Sequence, residues 1–287
     1  MINYDPKDWP RVLCAIRGTV ILHILLRVGL LMLLTALVCA FRETLESDHI
    51  LVKTFNTSGH ALIGVAIGLL IVFRNNSSYE RFWEGRKLWG NIINTCRNLI
   101  RGFAVTVGSA PHLAGLLTAY PLALKQHLRE LQNMAEIEEL VGPEIYERIR
   151  NGPNTPSLLM LEVSRLIFDA MREGKIDPIT AQGLEMQVRV LLDCQGGCER
   201  ILKTPIPFVH AVHIKQLLFL YLFTLSFTLV TQMDWAAVPA VGIIAFGLLG
   251  IEEAGVEVED PFGEDPNDLP IEAMCQTVGE DMASLGK

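Results

Sequence analysis

Long apolar runs and one long polar region divide the chain. Apolar residues dominate at 19–41, 57–73, 216–233 and 235–251. A helix crosses the hydrocarbon core of a membrane with about 20 mostly apolar residues. Four runs of nearly that length in 287 residues are better explained by membrane helices than by the buried helices of a large soluble core. The pattern therefore predicts a membrane protein with four transmembrane helices.

The region 74–208 is polar, and its pattern is helical. Bulky apolar residues recur there every seven positions, at Phe82, Trp89, Cys96 and Phe103. This spacing is typical of one face of an amphipathic helix that continues from the second apolar run without a turn signal. Gly-Pro pairs such as Gly142-Pro143 separate shorter helices, and no strand-like alternation of useful length occurs. We therefore expect an all-α fold.

Four successive segments follow from these patterns. Residues 1–73 carry the N-terminal segment and transmembrane helices 1 and 2, and residues 74–208 form a cytoplasmic helical region. Residues 209–254 hold transmembrane helices 3 and 4, and residues 255–287 form an acidic cytoplasmic tail. The excess of basic residues near membrane ends predicts a multi-pass protein of the inner or plasma membrane with both termini in the cytoplasm. Those basic residues are Arg11, Arg17, Arg74, Arg81, Arg86 and Lys87.

Composition agrees with a membrane location and excludes several other kinds of protein. Half of the residues are hydrophobic and 20% are charged, with a mean hydropathy of +0.33, whereas a soluble domain has about 25% charged residues. Since 11 of the 32 acidic residues lie from Glu252 onward, the net charge of −8 belongs to the tail. No uniform basic face for nucleic acid is expected. Six cysteines without a CxxC pair do not indicate a zinc or redox site.

The usual catalytic signatures are missing from the sequence. It contains no HExxH, no GxSxG, no P-loop and no GxGxxG motif, so we expect neither enzyme activity nor a required cofactor. The residues alone leave three alternatives open: a membrane-anchored enzyme with a site in the polar region, a secondary transporter, and a scaffold. A transporter usually places polar residues at the membrane midplane, whereas the middle of the second run is apolar.

The second apolar run carries a row of apolar side chains on one helix face. Val65, Leu69 and Phe73 are spaced i, i+4 and i+8. If several copies surround an axis, these residues stack as rings in a hydrophobic constriction, which gates by dewetting. In a single-chain bundle the same residues are core, and the residues alone favour that simpler interpretation. Asn75 and Asn76 follow, where their amides face either a hydrated ion or a neighbouring subunit.

The block after this run resembles a known family. Phe73-Arg74-Asn75-Asn76 is followed by Arg81-Phe82-Trp83-Glu84 and by Arg86-Lys87-Leu88-Trp89-Gly90, and this block resembles the bestrophin family. The resemblance extends in order over essentially the whole chain, and it is to the bacterial-type members. Two further blocks that carry it are Gly196-Gly197-Cys198-Glu199-Arg200 and Glu259-Asp260-Pro261-Phe262-Gly263.

The resemblance implies a homopentameric ion channel with a single axial pore instead of a single-chain bundle. Val65, Leu69 and Phe73 then form the pore neck, and Ile179, which follows Asp177-Pro178, forms a cytosolic aperture. Such a channel passively conducts small monovalent ions. Animal bestrophins resemble chloride and bicarbonate channels and bacterial-type members monovalent cation pores, so the sign of the ion stays open. The expected partners are further copies of the chain, the lipid bilayer and the permeant ions, without nucleic acid.

One candidate metal site is implied by the resemblance. Animal bestrophins bind calcium through acids that follow a Pro-Phe-Gly sequence, and Asp265 and Asp268 fall on the corresponding carboxylate positions. Calcium takes about six to eight oxygen ligands, and two side chains supply only part of that number. We therefore favour an acidic surface turn, with calcium as the alternative.

Overall fold

The computed structural model describes residues 2, 4–5, 7–42, 57–131 and 133–287. These residues form α-helices, turns and one short 3-10 helix, and no β-strand lies among them, which agrees with the predicted all-α fold. The chain divides into two compact units. The helices are α1 (Trp9–Leu13), α2 (Ile21–Ala40), α3 (Thr57–Val107), α4 (Pro111–Leu128), α5 (Ala135–Val141), α6 (Pro143–Ile149), α7 (Thr155–Arg172), α8 (Pro178–Lys203), α9 (Phe208–Met233), α10 (Ala237–Glu257) and α11 (Ile271–Leu285).

The first unit comprises residues 1–81, 205–260 and 265–267. Helices α2, α9 and α10 pack on one another, and the first part of α3 contributes two isoleucines to the same apolar core. The core forms because each helix turns one stripe of branched aliphatic side chains toward the others. Its buried members include Ile24, Val28, Ile67, Ile71, Ile214, Leu218, Leu222, Val241 and Leu249.

Three helical stretches of the described chain are long and apolar enough to cross a membrane: Ile21–Ala40, Ser58–Val107 and Phe208–Glu257. The third stretch holds two helices, because Asp234 adopts a φ of +50° and the short 3-10 helix Asp234–Ala236 separates α9 from α10. Four apolar helices therefore result, in agreement with the prediction.

Many apolar side chains of this unit are uncovered. On α2 alone, Leu22, Leu26 and Leu30 are 64%, 72% and 57% exposed. Apolar surface is unfavourable in water, whereas hydrocarbon is the natural surrounding of such a helix. The exposed leucines therefore give α2 the apolar surface that is typical of a membrane helix.

The second unit comprises residues 82–204, 261–264 and 268–287. At its centre lies α4, which packs against α5, α7 and α11. Trp89, Cys96 and Phe103 on the later part of α3 are at most 4% exposed in the core of this unit. Their burial confirms that the seven-residue spacing marks the apolar face of a long helix.

The C-terminal residues contribute a helix to this second unit. Ile271, Met274, Val278 and Met282 recur every three or four positions on α11 and are buried, and α11 packs against α4. The predicted segment boundaries at 73, 208 and 254 separate membrane from cytoplasmic parts, whereas the two units above are defined by compactness. They therefore stay predictions.

Candidate functional site

Helix α3 has two opposite faces within the first unit. Ile67 and Ile71 are 3% and 2% exposed and belong to the apolar core. Val65, Leu69 and Phe73 are 74%, 55% and 56% exposed. With about 3.6 residues per turn, these two sets of residues lie on opposite sides of the helix. The row Val65, Leu69 and Phe73, called the exposed row below, therefore faces away from the helices of its own unit.

The exposed row continues into polar residues. Asn76 and Glu80 follow Phe73 by three and seven positions, which keeps them on the same side of α3, and both are exposed. Sequence reasoning missed Glu80, although its seven-residue spacing from Phe73 is a signal that identifies it. The polar end of the row thus carries a carboxylate.

Arg74 fastens α3 to the end of α10 directly after the exposed row. Its Nη1 lies 2.7 Å from Glu252 Oε1 and donates a second hydrogen bond of 3.1 Å to the Glu252 carbonyl oxygen. Its Nη2 lies 3.5 Å from Glu259 Oε2. Both side chains of the closer pair are 2% exposed. Arg74, one of the basic residues near the predicted membrane ends, is therefore engaged inside the fold.

Asn75 makes the next contact between the same two helices. Its Nδ2 donates a hydrogen bond of 3.0 Å to the Ile251 carbonyl oxygen. The approach requires a glycine, because a Cβ atom on Gly255 would lie 2.0 Å from Asn75 Oδ1. Asn75 is thus bound within its own chain, whereas Asn76 points to the exposed side.

A second set of contacts fastens α3 to α9 before the exposed row. His60 Nε2 lies 2.9 Å from Thr224 Oγ1. A Cβ atom on Gly64 would lie 2.7 Å from Tyr221 Oη, so the glycine permits the close approach of the two helices. The exposed row is therefore held at both ends by contacts on the buried side of α3.

Ile179 lies in the first turn of α8, in the second unit, and its side chain is 81% exposed. Asp177 caps this helix: its Oδ1 accepts hydrogen bonds of 2.9 and 3.1 Å from the amides of Ile179 and Thr180. The Thr180 hydroxyl donates to Asp177 Oδ2 at 2.5 Å. The hydroxyl bond, followed by the amide bonds, lowers the pKa of Asp177 below its ordinary value. The cap thus fixes the backbone of the residue predicted to form the aperture.

Asp265 and Asp268, the candidate calcium ligands, differ in their surroundings. Asp265 is exposed, whereas Asp268 is 3% exposed. Across the described part of the chain, no three or more His, Cys, Asp or Glu side chains are grouped so that they could hold a metal ion.

Arg129 holds the carbonyl oxygens of the preceding Pro-Phe-Gly turn. Its Nε donates to the Phe262 carbonyl oxygen at 2.9 Å and its Nη2 to that of Gly263 at 2.7 Å. Its hydrogen bond to Glu272 is the main cause that lowers the pKa of that carboxyl. A guanidinium that is only 8% exposed thus places a positive charge at both carbonyl oxygens, which disfavours the binding of a cation such as calcium to them.

Comparison with known proteins gives a consistent assignment. A family model described as bacterial/fungal bestrophin protein matches residues 1–284. A voltage-dependent anion channel-forming protein of Synechocystis sp. is 37% identical over 289 residues, which cover 98% of this chain and 92% of the relative. A protein of the same description from Nostoc sp. is 36% identical, with coverage of 97% and 92%.

Solved structures agree with these sequence relatives. A bacterial bestrophin homologue from Klebsiella pneumoniae superposes with a TM-score of 0.87 and 28% sequence identity. The match covers 92% of this chain and 98% of the other. A likeness of this extent includes the helices of both compact units.

Proposed function

The chain belongs to the bacterial and fungal bestrophin family, and we propose on that basis that it forms a homopentameric channel for the passive flow of small monovalent ions. The family and the channel-forming relatives indicate an ion channel rather than an enzyme. The apolar helices make it a membrane protein. The proposal adds the number of subunits, the residues that line the pore and the sign of the ion.

The observation that carries the proposal is the exposed row on α3. Its three apolar side chains point away from the core to which Ile67 and Ile71 belong. Five copies of α3 around one axis would bring Val65, Leu69 and Phe73 together as three successive rings. A ring of apolar side chains gates ion flow by excluding water from a narrow passage, so these residues form the neck of the proposed pore.

Ile179 forms the second constriction of the proposed channel. Its side chain is 81% exposed at the start of a capped helix, so the chain itself leaves it uncovered. In a pentamer it supplies one apolar group per subunit to a cytosolic aperture. The Asp177 cap fixes the backbone conformation of Ile179 in each subunit.

We propose anions as the conducted ions, because the two cyanobacterial relatives are described as anion channel-forming proteins. An apolar neck carries no charge of its own, so vestibule charges and helix-end dipoles must influence the choice. Glu80 supports cations as the second candidate, because a ring of five carboxylates attracts them. Calcium has no part in the proposed function, since Arg129 already holds the Phe262 and Gly263 carbonyl oxygens.

The proposed channel lies in the inner or plasma membrane with both termini in the cytoplasm. Arg11 and Arg17 precede α2 and support this orientation. A membrane-anchored enzyme and a secondary transporter are the rival functions. The apolar character of the exposed row argues against a transporter, whose substrate site needs polar groups near the midplane.

The test is the reversal potential of the purified protein in planar bilayers under an asymmetric KCl gradient. Anion conduction moves the reversal potential toward the chloride equilibrium potential. Movement toward the potassium equilibrium potential would overturn the anion assignment in favour of cations, and Glu80→Gln should then shift it back. The absence of current from correctly assembled pentamers, with a known channel as positive control, would overturn the channel itself.

A further inference from the structure

An apolar groove lies between α2 and α9 and ends at basic side chains. Its volume is about 400 Å³. Leu30 and Leu34 line it from α2, and Phe219 and Phe223 line it from α9. The two aromatic rings stack with their centroids 6.1 Å apart. Along α2, the groove extends about 10 Å past Arg27 at the usual rise of about 1.5 Å per residue, which gives it an elongated apolar floor.

Two basic side chains lie at one end of this groove, and each is about half exposed. The side chains of Arg27 and Lys215 are 51% and 52% exposed. Their carboxylate partners are covered: Glu253, 2.7 Å from Arg27 Nη1, is 15% exposed, and Glu252, 3.7 Å from Lys215 Nζ, is 2% exposed. The nearby positive and negative charges balance in number. The positive groups are nevertheless the more exposed ones, so a ligand at this end of the groove meets Arg27 and Lys215 first.

Glu252 is already committed to another cation. Arg74 Nη1 approaches it to 2.7 Å, closer than Lys215 Nζ at 3.7 Å. Lys215 therefore keeps much of its capacity to donate hydrogen bonds to an anion. Arg27 uses Nη1 for Glu253, and its planar guanidinium has further donors in a fixed arrangement.

The depth of these cations suits a headgroup. Arg27 lies six residues after the first residue of α2, and Lys215 lies seven residues after the first residue of α9. Both are therefore about 10 Å along their helices, within the reach over which long basic side chains extend to the membrane interface. The groove is thus complementary to a phospholipid: its apolar floor matches an acyl chain, and its two cations match the charged phosphate.

We propose that this groove binds an anionic phospholipid, with one acyl chain against Leu30, Leu34, Phe219 and Phe223 and the phosphate between Arg27 and Lys215. The groove opens beside exposed leucines of α2, such as Leu26, which is 72% exposed. A second copy of the chain is the other conceivable occupant. The exposed row on α3, however, supplies a separate surface for assembly. This choice between the two occupants rests on the proposed function, whereas the lipid-binding test below does not require ion conduction.

The test uses the full-length protein, stripped of lipid in detergent and titrated with phosphatidylglycerol or phosphatidylcholine, with bound lipids counted by native mass spectrometry. Wild-type protein should bind phosphatidylglycerol at least tenfold more tightly than phosphatidylcholine. The double variant Arg27→Gln with Lys215→Gln should lose that preference, whereas Lys215→Arg should keep it. Arg17→Gln removes a basic residue outside the groove and should leave both affinities unchanged.

Leu34→Trp provides a second variant, which fills the groove and leaves both cations in place. It should lower the number of tightly bound phosphatidylglycerol molecules by one per subunit while the thermal melting temperature is retained. Equal binding of the two lipids by wild-type protein would overturn the proposal. A mixture of Leu30→Cys subunits with Phe223→Cys subunits provides the last check. An efficient disulfide between the two kinds of subunit would also overturn the proposal, because a second copy would then occupy the groove.

Discussion

Arg74 and Glu252 form a closed ion pair between α3 and α10, with 2.7 Å between Nη1 and Oε1 and 2% of each side chain exposed. Arg74 follows Phe73, the last residue of the exposed row. A charge without its partner at such a site is costly, because burial removes its hydration. The pair therefore fixes the rotation of α3 where the exposed row ends.

Glu252→Gln should strongly destabilise the protein. It leaves the Arg74 guanidinium buried without its closest carboxylate, and loss of one partner of a buried pair costs about 3–5 kcal/mol. The melting temperature in detergent should fall clearly. The control is Asp169→Asn, which breaks a pair with Arg172 whose side chains are 71% and 58% exposed; surface pairs contribute about 0–1 kcal/mol. Equal melting temperatures for the two variants would contradict the assignment.

Gly255→Ala should destabilise α10 through Asn75. The new Cβ atom would lie 2.0 Å from Asn75 Oδ1, so Asn75 must rotate and lose its bond to the Ile251 carbonyl, worth about 1 kcal/mol. Gly247→Ala on the same helix meets no atom within 4 Å and should be neutral or stabilising. In an Asn75→Ala background the cost of Gly255→Ala should disappear. A cost that persists there would show that another contact is responsible.

Leu69→Thr should increase the single-channel current. Threonine has a shorter side chain than leucine and its hydroxyl binds water, and both changes favour wetting of an apolar constriction. Leu33→Thr is the matched control, because Leu33 on α2 is 57% exposed and Leu69 is 55% exposed. Planar bilayer recordings measure both variants. An equal rise in current for Leu33→Thr would remove the special role of the exposed row.

Asp177 should give the start of α8 a pH-dependent stability. Its pKa is lowered, mainly by the Thr180 hydroxyl and then by backbone amides. The stabilisation is therefore complete above the unfolded value of about 3.9, and it is lost as the pH falls through the folded value. The melting temperature of Asp177→Ala should lie below that of wild type at pH 7, and the difference should shrink below about pH 3.9.

Asp177→Asn is the control for that titration. Asparagine caps a helix about as well as aspartate but carries no charge. Its melting temperature relative to Asp177→Ala should therefore not depend on pH. Wild type and Asp177→Asn with parallel pH profiles would contradict the role of the carboxylate.

Cys14 offers a test of orientation. It is an exposed free thiol before α2, whereas Cys96, Cys194, Cys198 and Cys275 are buried and Cys39, at the other end of α2, is half-buried. An impermeant maleimide should label Cys14 in inverted membrane vesicles and leave it unlabelled in intact spheroplasts. Cys14→Ser should abolish that label. Labelling only in spheroplasts would place the N-terminus on the outer side.

The apolar pattern was sufficient to predict the helices but not all of their ends. The fourth apolar run ends at residue 251, directly before the first acidic residues, whereas α10 continues to Glu257. Arg74 pairs with Glu252 and so permits a buried carboxylate near the end of this helix. Their separation of 178 positions has no signature in a local pattern, so the sequence alone does not indicate this pair.

For the candidate site, too, the sequence predicts what depends on local spacing and not what depends on distant contacts. The spacing of Val65, Leu69 and Phe73 identified a common helix face, because helical geometry is local. The side of α3 that the chain covers depends on contacts with α9 and α10, which no spacing within α3 reveals. The guanidinium of Arg129 at the carbonyls of Phe262 and Gly263 joins residues more than 130 positions apart. The sequence around the acidic turn therefore does not predict this contact.

The opposed faces of α3 restrict how this protein can change in length during evolution. A single inserted or deleted residue between Val65 and Arg74 would turn the exposed row by about 100° relative to the Arg74 anchor. It would bring core isoleucines to the outside and the row toward the core. Seven residues make nearly two full turns and restore the angle to within about 20°. Among relatives that keep the Arg74–Glu252 pair, we expect this segment to tolerate substitutions while remaining constant in length.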